Sequence, residues 1–89
     1  MGITRAAAVD LGGRKIRVNA IAPSAVPTEG TMRNRNVERD AHRVAQTPMG
    51  RLGTVDDMAR AIAFLLSDDS VYISGQVLSV DGGISTSFL

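Results

Sequence analysis

His42 is the only histidine, and it stands in a densely charged run from Arg33 to Arg43. An imidazole can shuttle protons or bind a metal, but either role needs partners that the sequence does not place beside it. A solvated helix face is the simpler reading. Asp56 and Asp57 are adjacent carboxylates, and paired carboxylates can do acid–base work. Thr54 precedes them, however, and an acidic residue three positions after a threonine marks a helix cap. Asp81 stands before Gly82 and Gly83, where a carboxylate satisfies local backbone donors. Arg33, Arg35, Arg39 and Arg43 alternate with Glu38 and Asp40, a pattern of a solvated helix more often than of an anion site. Gly12-Gly13 follows a helical stretch, and Gly82-Gly83 has no helix behind it. Neither pair cradles a pyrophosphate on a helix N-terminus.

The elements that carry these residues can be read from periodicity. Ile3 to Leu11 is rich in alanine and predicts a helix. Gly12 and Gly13 follow at once, where a helix end favours a left-handed residue. Ile16 to Ala22 is a short, mostly apolar run that stops at Pro23. Ile16, Val18 and Ala20 share one face and Ile21 lies on the other, which suits a strand covered on both sides. Ser24 to Gly53 is a long charged excursion. Val37, Ala41, Val44 and Ala45 give it one thin apolar stripe at helical spacing. Excursions of that length are usually functional lids or disordered segments. From Thr54 a capped helix begins, with both aspartates favoured at the positive end of its dipole. Met58, Ile62, Leu65 and Leu66 predict its buried face. Gln76 to Val80 is a second strand, ended by Asp81-Gly82-Gly83.

The order is helix, strand, excursion with a short helix, helix, strand. A strand–helix–strand crossover with apolar strands predicts an α/β fold with a parallel sheet. Two strands alone make a marginal sheet with two open edges. The pattern therefore describes one piece, residues 1–89, of a larger α/β domain.

Composition narrows the function classes. The chain has 89 residues, 44% hydrophobic and 21% charged, with net charge +1. A chain this short buries only about 60–65% of the surface its unfolded form exposes. The small net charge provides no strong field for nucleic acid or an anionic membrane. The charged run also lacks the interleaved aromatics of a single-strand platform. There is no cysteine, which excludes a disulfide scaffold and thiolate metal sites. No stretch approaches the roughly 20 apolar residues of a membrane span. The longest apolar run near the N-terminus, Ala6 to Val9, is too short for a signal peptide. The expectation is a cytoplasmic protein with no nucleic-acid or membrane partner.

Four pieces of this sequence together resemble the C-terminal part of the classical short-chain dehydrogenases/reductases. Gly2-Ile3-Thr4-Arg5-Ala6 and Ile16 to Pro23 are similar to the helix and strand that follow the family's catalytic tyrosine and lysine. Pro23-Ser24-Ala25-Val26-Pro27-Thr28 resembles its Pro-Gly-x-x-x-Thr turn. Gly50-Arg51-Leu52-Gly53-Thr54 resembles the entry to its last long helix, and Tyr72 to Gly83 its final strand. The resemblance implies the C-terminal portion of a Rossmann-type, doubly wound parallel sheet. It implies that the complete enzyme transfers hydride between NAD or NADP and a carbonyl or alcohol substrate. Backbone groups of Pro23, Ser24 and Val26 would face the nicotinamide. The Thr28 hydroxyl would reach the carboxamide or a phosphate oxygen, or else cap the first turn of the excursion. Residues 29–50 would form a substrate lid. Ser24 replaces the family's usual glycine, and a positive φ there would strain a serine by roughly 1 kcal/mol or more.

The same resemblance shows what is missing. Tyr72 is the only tyrosine and Lys15 the only lysine, and Gln76 stands four residues after Tyr72. No tyrosine–lysine pair of the catalytic motif is present, and no glycine-rich cofactor turn, so no residue here is expected to be catalytic. One reading is a partial dehydrogenase. Another is a non-catalytic module that forms homo-oligomers through the last helix and strand, and a gene remnant is a third.

Overall fold

The computed structural model describes residues 2–27 and 36–86. Helix α1 runs over Gly2–Gly12. Gly12 and Gly13 do not take the left-handed position expected of them: Lys15 does, with φ 61°. The helical turn continues past both glycines, so reversal falls later. The Ile16 N–H donates to Leu11 O at 3.3 Å and the Lys15 N–H to Gly12 O at 2.9 Å. These two bonds define a Schellman motif with Lys15 at its left-handed residue.

Strand β1 covers Ala20–Pro23 and β2 covers Val77–Val80, paired in parallel with Ala20 opposite Val77 and Pro23 opposite Val80. The first strand was expected from Ile16 and begins four residues later. Side chains take over before the ladder starts. The Val18 N–H donates to Ser74 Oγ at 3.1 Å, and the Gln76 N–H donates to Asn19 Oδ1 at 3.1 Å. Asn19 Nδ2 donates back to Ile73 O at 2.9 Å. Arg17 reaches across to Ser70 Oγ at 3.1 Å, Ser67 O at 3.3 Å and Ile73 O at 3.4 Å. Residues 17–19 thus dock onto residues 67–76 through polar groups.

Helix α2, Val37–Gln46, is the helix expected inside the excursion; the Asn36 side chain caps it by accepting from the Arg39 N–H at 2.9 Å. Helix α3, Val55–Leu66, opens with the expected capping box. Thr54 Oγ1 accepts from the Asp57 N–H at 3.0 Å, and Asp57 Oδ2 accepts from the Thr54 N–H at 2.9 Å. Arg51 grips the same carboxylate with both terminal nitrogens, at 2.7 and 3.2 Å. Asp56 pairs with Arg60 one turn on. The two aspartates therefore serve the helix.

The buried face predicted for α3 is corrected by the structure. Ile62 is 44% exposed and Leu66 79% exposed. Among the described residues no apolar side chain is buried, and the buried ones are Thr4, Thr47 and Ser70. The physical reason is the two-stranded sheet: α3 lies against β1 and β2, and its stripe extends beyond the width they offer. Among the described residues no helix is long and apolar enough to cross a membrane.

Two predictions follow from these facts. The 89-residue chain should not persist as a well-packed monomer, because exposed aliphatic faces and an open parallel edge favour association. Sedimentation should show dimers or larger species, with poorly dispersed methyl resonances in any monomer. A monodisperse monomer with dispersed methyl signals and cooperative unfolding would overturn this. Second, the Arg51 guanidinium, followed by the Thr54 N–H and hydroxyl, holds the Asp57 carboxyl well below the usual aspartate value. A depressed folded pKa contributes stability above the free-aspartate pKa of about 3.9, lost as pH falls through the folded value. In ¹³Cγ-aspartate-labelled protein, Asp57 should titrate well below that value. Arg51→Ala should move it upward, and a midpoint unchanged by that substitution would refute the assignment.

A candidate site at the carboxyl ends of the parallel strands

Parallel pairing makes β1 and β2 end side by side, with Pro23 opposite Val80. β1 therefore hands over to Ser24–Pro27 next to the place where β2 hands over to Asp81–Gly83. Two turns from distant parts of the sequence form one rim.

The second turn is built around Asp81. Its carboxylate accepts from the Gly83 N–H at 2.9 Å and the Ser85 N–H at 3.3 Å. The Ser85 hydroxyl, then these backbone donors, hold the Asp81 carboxyl below its ordinary pKa. Gly82 takes φ 62° and Gly83 φ 91°. A Cβ on Gly82 would stand 2.8 Å from Thr47 Cγ2, and one on Gly83 3.2 Å from Pro48 Cγ. Only glycine meets both demands, backbone sign and space. That close approach lets the Met49 N–H donate to Gly82 O at 3.1 Å.

The segment after α2 spans the rim. Thr47, 8% exposed, ends the helix by donating its hydroxyl to Arg43 O at 2.6 Å. The Gly50 N–H donates to Thr47 O at 2.8 Å, and the Gly53 N–H donates to Ala25 O at 3.2 Å. A Cβ on Gly53 would lie 3.3 Å from Val26 Cγ2, so glycine allows this loop to rest on the first turn. Ser24 and Ala25 share a shallow hollow with Arg43, Thr47, Arg51 and Asp81.

The expected site residues are placed as follows. Pro23 closes β1, and Ser24 and Val26 lie on the rim, half-buried. Ser24 does not have a positive φ, since Lys15 alone among the described non-glycine residues does; the strain considered for Ser24 is not present. Thr28 lies outside the described residues, as does the stretch 29–35 of the excursion. His42 is exposed on α2. Among the described residues no three His, Asp or Glu side chains converge as metal ligands. Sequence reasoning missed the Arg51–Asp57 grip and the Arg17 and Asn19 contacts. The signal was available: positions 17 and 19 are polar on alternate places of an otherwise apolar run, Ile16 to Ala22. Such placement asks for a partner on that face.

Comparison with known proteins agrees with this geometry. The family model described as enoyl-(acyl carrier protein) reductase matches residues 1–85. An uncharacterized oxidoreductase of Mycobacterium tuberculosis is 44% identical over 82 residues, covering 92% of this chain and 33% of that protein. The 3-oxoacyl-(acyl-carrier-protein) reductase of Thermotoga maritima is 40% identical over 84 residues, 94% of this chain and 34% of the reductase. A crystal structure of a putative NAD(P)-dependent gluconate 5-dehydrogenase from Beutenbergia cavernae, with NADP bound at low occupancy, superposes with TM-score 0.87 at 45% identity. It is matched over 96% of this chain and 34% of its own length. A short-chain dehydrogenase/reductase from Mycobacterium ulcerans superposes with TM-score 0.88 at 35% identity, over 96% of this chain and 31% of its own length. The chain thus spans about a third of the relatives it matches. It belongs to the short-chain dehydrogenase/reductase family of oxidoreductases, whose C-terminal region it represents.

Proposed function

We propose that these residues supply one wall of the active site in a complete short-chain dehydrogenase, which moves hydride between NAD or NADP and a carbonyl or alcohol. One observation carries the reading. The rim formed by Ser24–Pro27 and Asp81–Gly83 lies at the carboxyl ends of two parallel strands, and open α/β sheets bind ligands there. The residues present suit the nicotinamide end of a dinucleotide. Backbone groups of Pro23, Ser24 and Val26 would border the ring, and the Thr28 hydroxyl would offer a hydrogen bond to its carboxamide or to a phosphate oxygen. They do not suit the pyrophosphate end, which requires a glycine-rich turn before a helix. When bound, the dinucleotide would supply the hydride in its reduced form and accept it in its oxidised form. This chain's residues orient the ring and exclude water from it.

Residues 29–50 serve as the substrate lid in this reading. The supporting observation is that α2 keeps Val37 78% exposed and has no buried side chain. Such a segment opens at low free energy, as a lid must. A second reading, self-association through α3 and β2, is favoured by the exposure of Leu66, Val71 and Tyr72.

A chimera tests the first reading. Residues 1–86 would replace the corresponding third of the Thermotoga maritima reductase. The chimera should reduce a carbonyl from a substrate panel with NADH or NADPH, while the 89-residue chain alone should not turn over. Thr28→Ala in the chimera should raise the cofactor KM by about 3- to 10-fold, the loss of one hydrogen bond. A folded but inactive chimera, or turnover by the 89 residues alone, would refute the reading. Hydrogen exchange on the chimera should be faster over 37–46 than over 16–22. Equal protection would rule out a lid.

A further inference from the structure

The loop from Thr47 to Gly53 meets the rim at two points. The Met49 N–H donates to Gly82 O at 3.1 Å, and the Gly53 N–H donates to Ala25 O at 3.2 Å. The second contact is tight on both sides: a Cβ on Gly53 would stand 3.3 Å from Val26 Cγ2 and 3.4 Å from Met58 Cε. Gly53 therefore sits between the first turn of the rim and α3. Packing alone does not hold the loop there. A cavity of about 230 Å³ opens beside it, with Met49, Leu52, Gly53, Asp57 and Met58 among its walls. Gly50 takes φ 75°, and nothing lies within 4 Å of where its Cβ would stand. A glycine in open space leaves the chain a swivel at that position.

Arg51 supplies the restraint. Its Nη1 donates to Asp57 Oδ2 at 2.7 Å and to Leu52 O at 3.0 Å, and its Nη2 donates to Asp57 Oδ1 at 3.2 Å. A planar fork on both carboxylate oxygens fixes direction as well as distance. Asp57 is itself seated by the cap, through the Thr54 N–H and hydroxyl. The fork thus ties the loop to the first turn of α3, two residues ahead of the N–H that holds Ala25. The Arg51 side chain is about half exposed, so the pair adds little stability; its leverage is on position. We infer that Arg51 is a positioning residue for the nicotinamide end of the cofactor. It acts through Gly53 and the Ala25 carbonyl, which set where the backbone of Ser24 and Val26 stands. This rests on the proposed function in taking the Ser24–Pro27 turn as the wall beside the nicotinamide.

The test uses the chimera and two kinds of ligand. NADH or NADPH carries the nicotinamide; ADP-ribose, or its 2′-phosphate where NADPH is preferred, carries the remainder without it. In Arg51→Ala the Kd of the reduced dinucleotide should rise about 3- to 10-fold, while that of the truncated ligand changes less than about twofold. The thermal midpoint should stay within about 3 °C of the parent. Arg51→Lys keeps the charge without the fork and should fall between the two. Asp57→Asn keeps an oxygen for the Thr54 N–H and should weaken the dinucleotide as Arg51→Ala does. The two changes together should cost no more than either alone. Arg60→Ala breaks the Arg60–Asp56 pair on the same helix and should alter neither ligand. Amide exchange gives a measurement that needs no ligand, read in the chimera and in the 89-residue chain. Arg51→Ala should speed exchange at Gly53 by at least about threefold and leave Val77 to Val80 unchanged. Equal weakening of both ligands, a variant that binds the reduced dinucleotide as tightly as the parent, or Gly53 exchange indifferent to Arg51 would overturn the inference. An active parent chimera whose variants all bind alike refutes the positioning role alone. A folded parent chimera that binds no dinucleotide refutes the proposed function, and the cofactor role of Arg51 with it, even where Gly53 exchange depends on Arg51.

Discussion

The Arg17 guanidinium is the contact on which the rest of this arrangement depends. It holds Ser70 Oγ, Ser67 O and Ile73 O together, and so ties the approach to β1 onto the link between α3 and β2. Ser70, 1% exposed, is the most buried residue described, and its hydroxyl also donates toward Phe64 O at 2.8 Å. Hydrogen bonds to a charged group are worth about 1.5–3 kcal/mol net, more than a neutral pair. Asn19 adds two bonds just ahead of the ladder. Once residues 17–19 are seated, Ala20 can only meet Val77, because a slip of one residue would reverse every side chain. The register of the two strands therefore originates outside the strands.

Register then determines the rim. With Pro23 opposite Val80, the two turns emerge at one level, and the loop at 47–53 can touch both. Its contacts are backbone to backbone: Met49 to Gly82 and Gly53 to Ala25. Each uses a glycine that admits close approach. The Arg51 grip on Asp57 fixes the far end of that loop to the cap of α3. A change in the cap is thus felt at the rim through a few covalent bonds and one ion pair. The pair is too exposed to add much stability, so its effect is positional.

What was legible in the sequence follows the range of the interactions. The capping box at Thr54 and Asp57, the turn at Asp81 and the order of elements involve neighbours within four residues, and all were read correctly. The start of β1 was misplaced because Ser74 and Asn19, 55 residues apart in sequence, supply bonds that the hydrophobic pattern does not record. Lys15 was missed as the left-handed residue because two glycines nearby made the usual choice obvious. The stripe Met58, Ile62, Leu65 and Leu66 was recognised as apolar and wrongly taken as buried. Periodicity reports which face should be covered, and only the other elements decide whether it is. Within the proposed site, Pro23, Ser24 and Val26 were assigned through a resemblance between motifs; composition and spacing alone contained no sign of them.

The exposed stripe and the ordered rim point to a division between arrangement and stability. Polar links such as those of Arg17, Asn19 and Asp81 are directional, so they select one register and one turn geometry. Their net worth, about 0.5–1.5 kcal/mol for each neutral bond, does not offset the roughly 1–2 kcal/mol of backbone entropy lost by every ordered residue. Burial of apolar surface ordinarily makes up that difference, and here Ile62 is only partly covered and Leu66 remains largely in water. The sequence thus encodes its shape in contacts made within the chain and leaves much of its hydrophobic free energy unspent on its surface. A segment of that kind is specific before it is stable: whatever covers the α3 face finds the strand register and the rim already chosen.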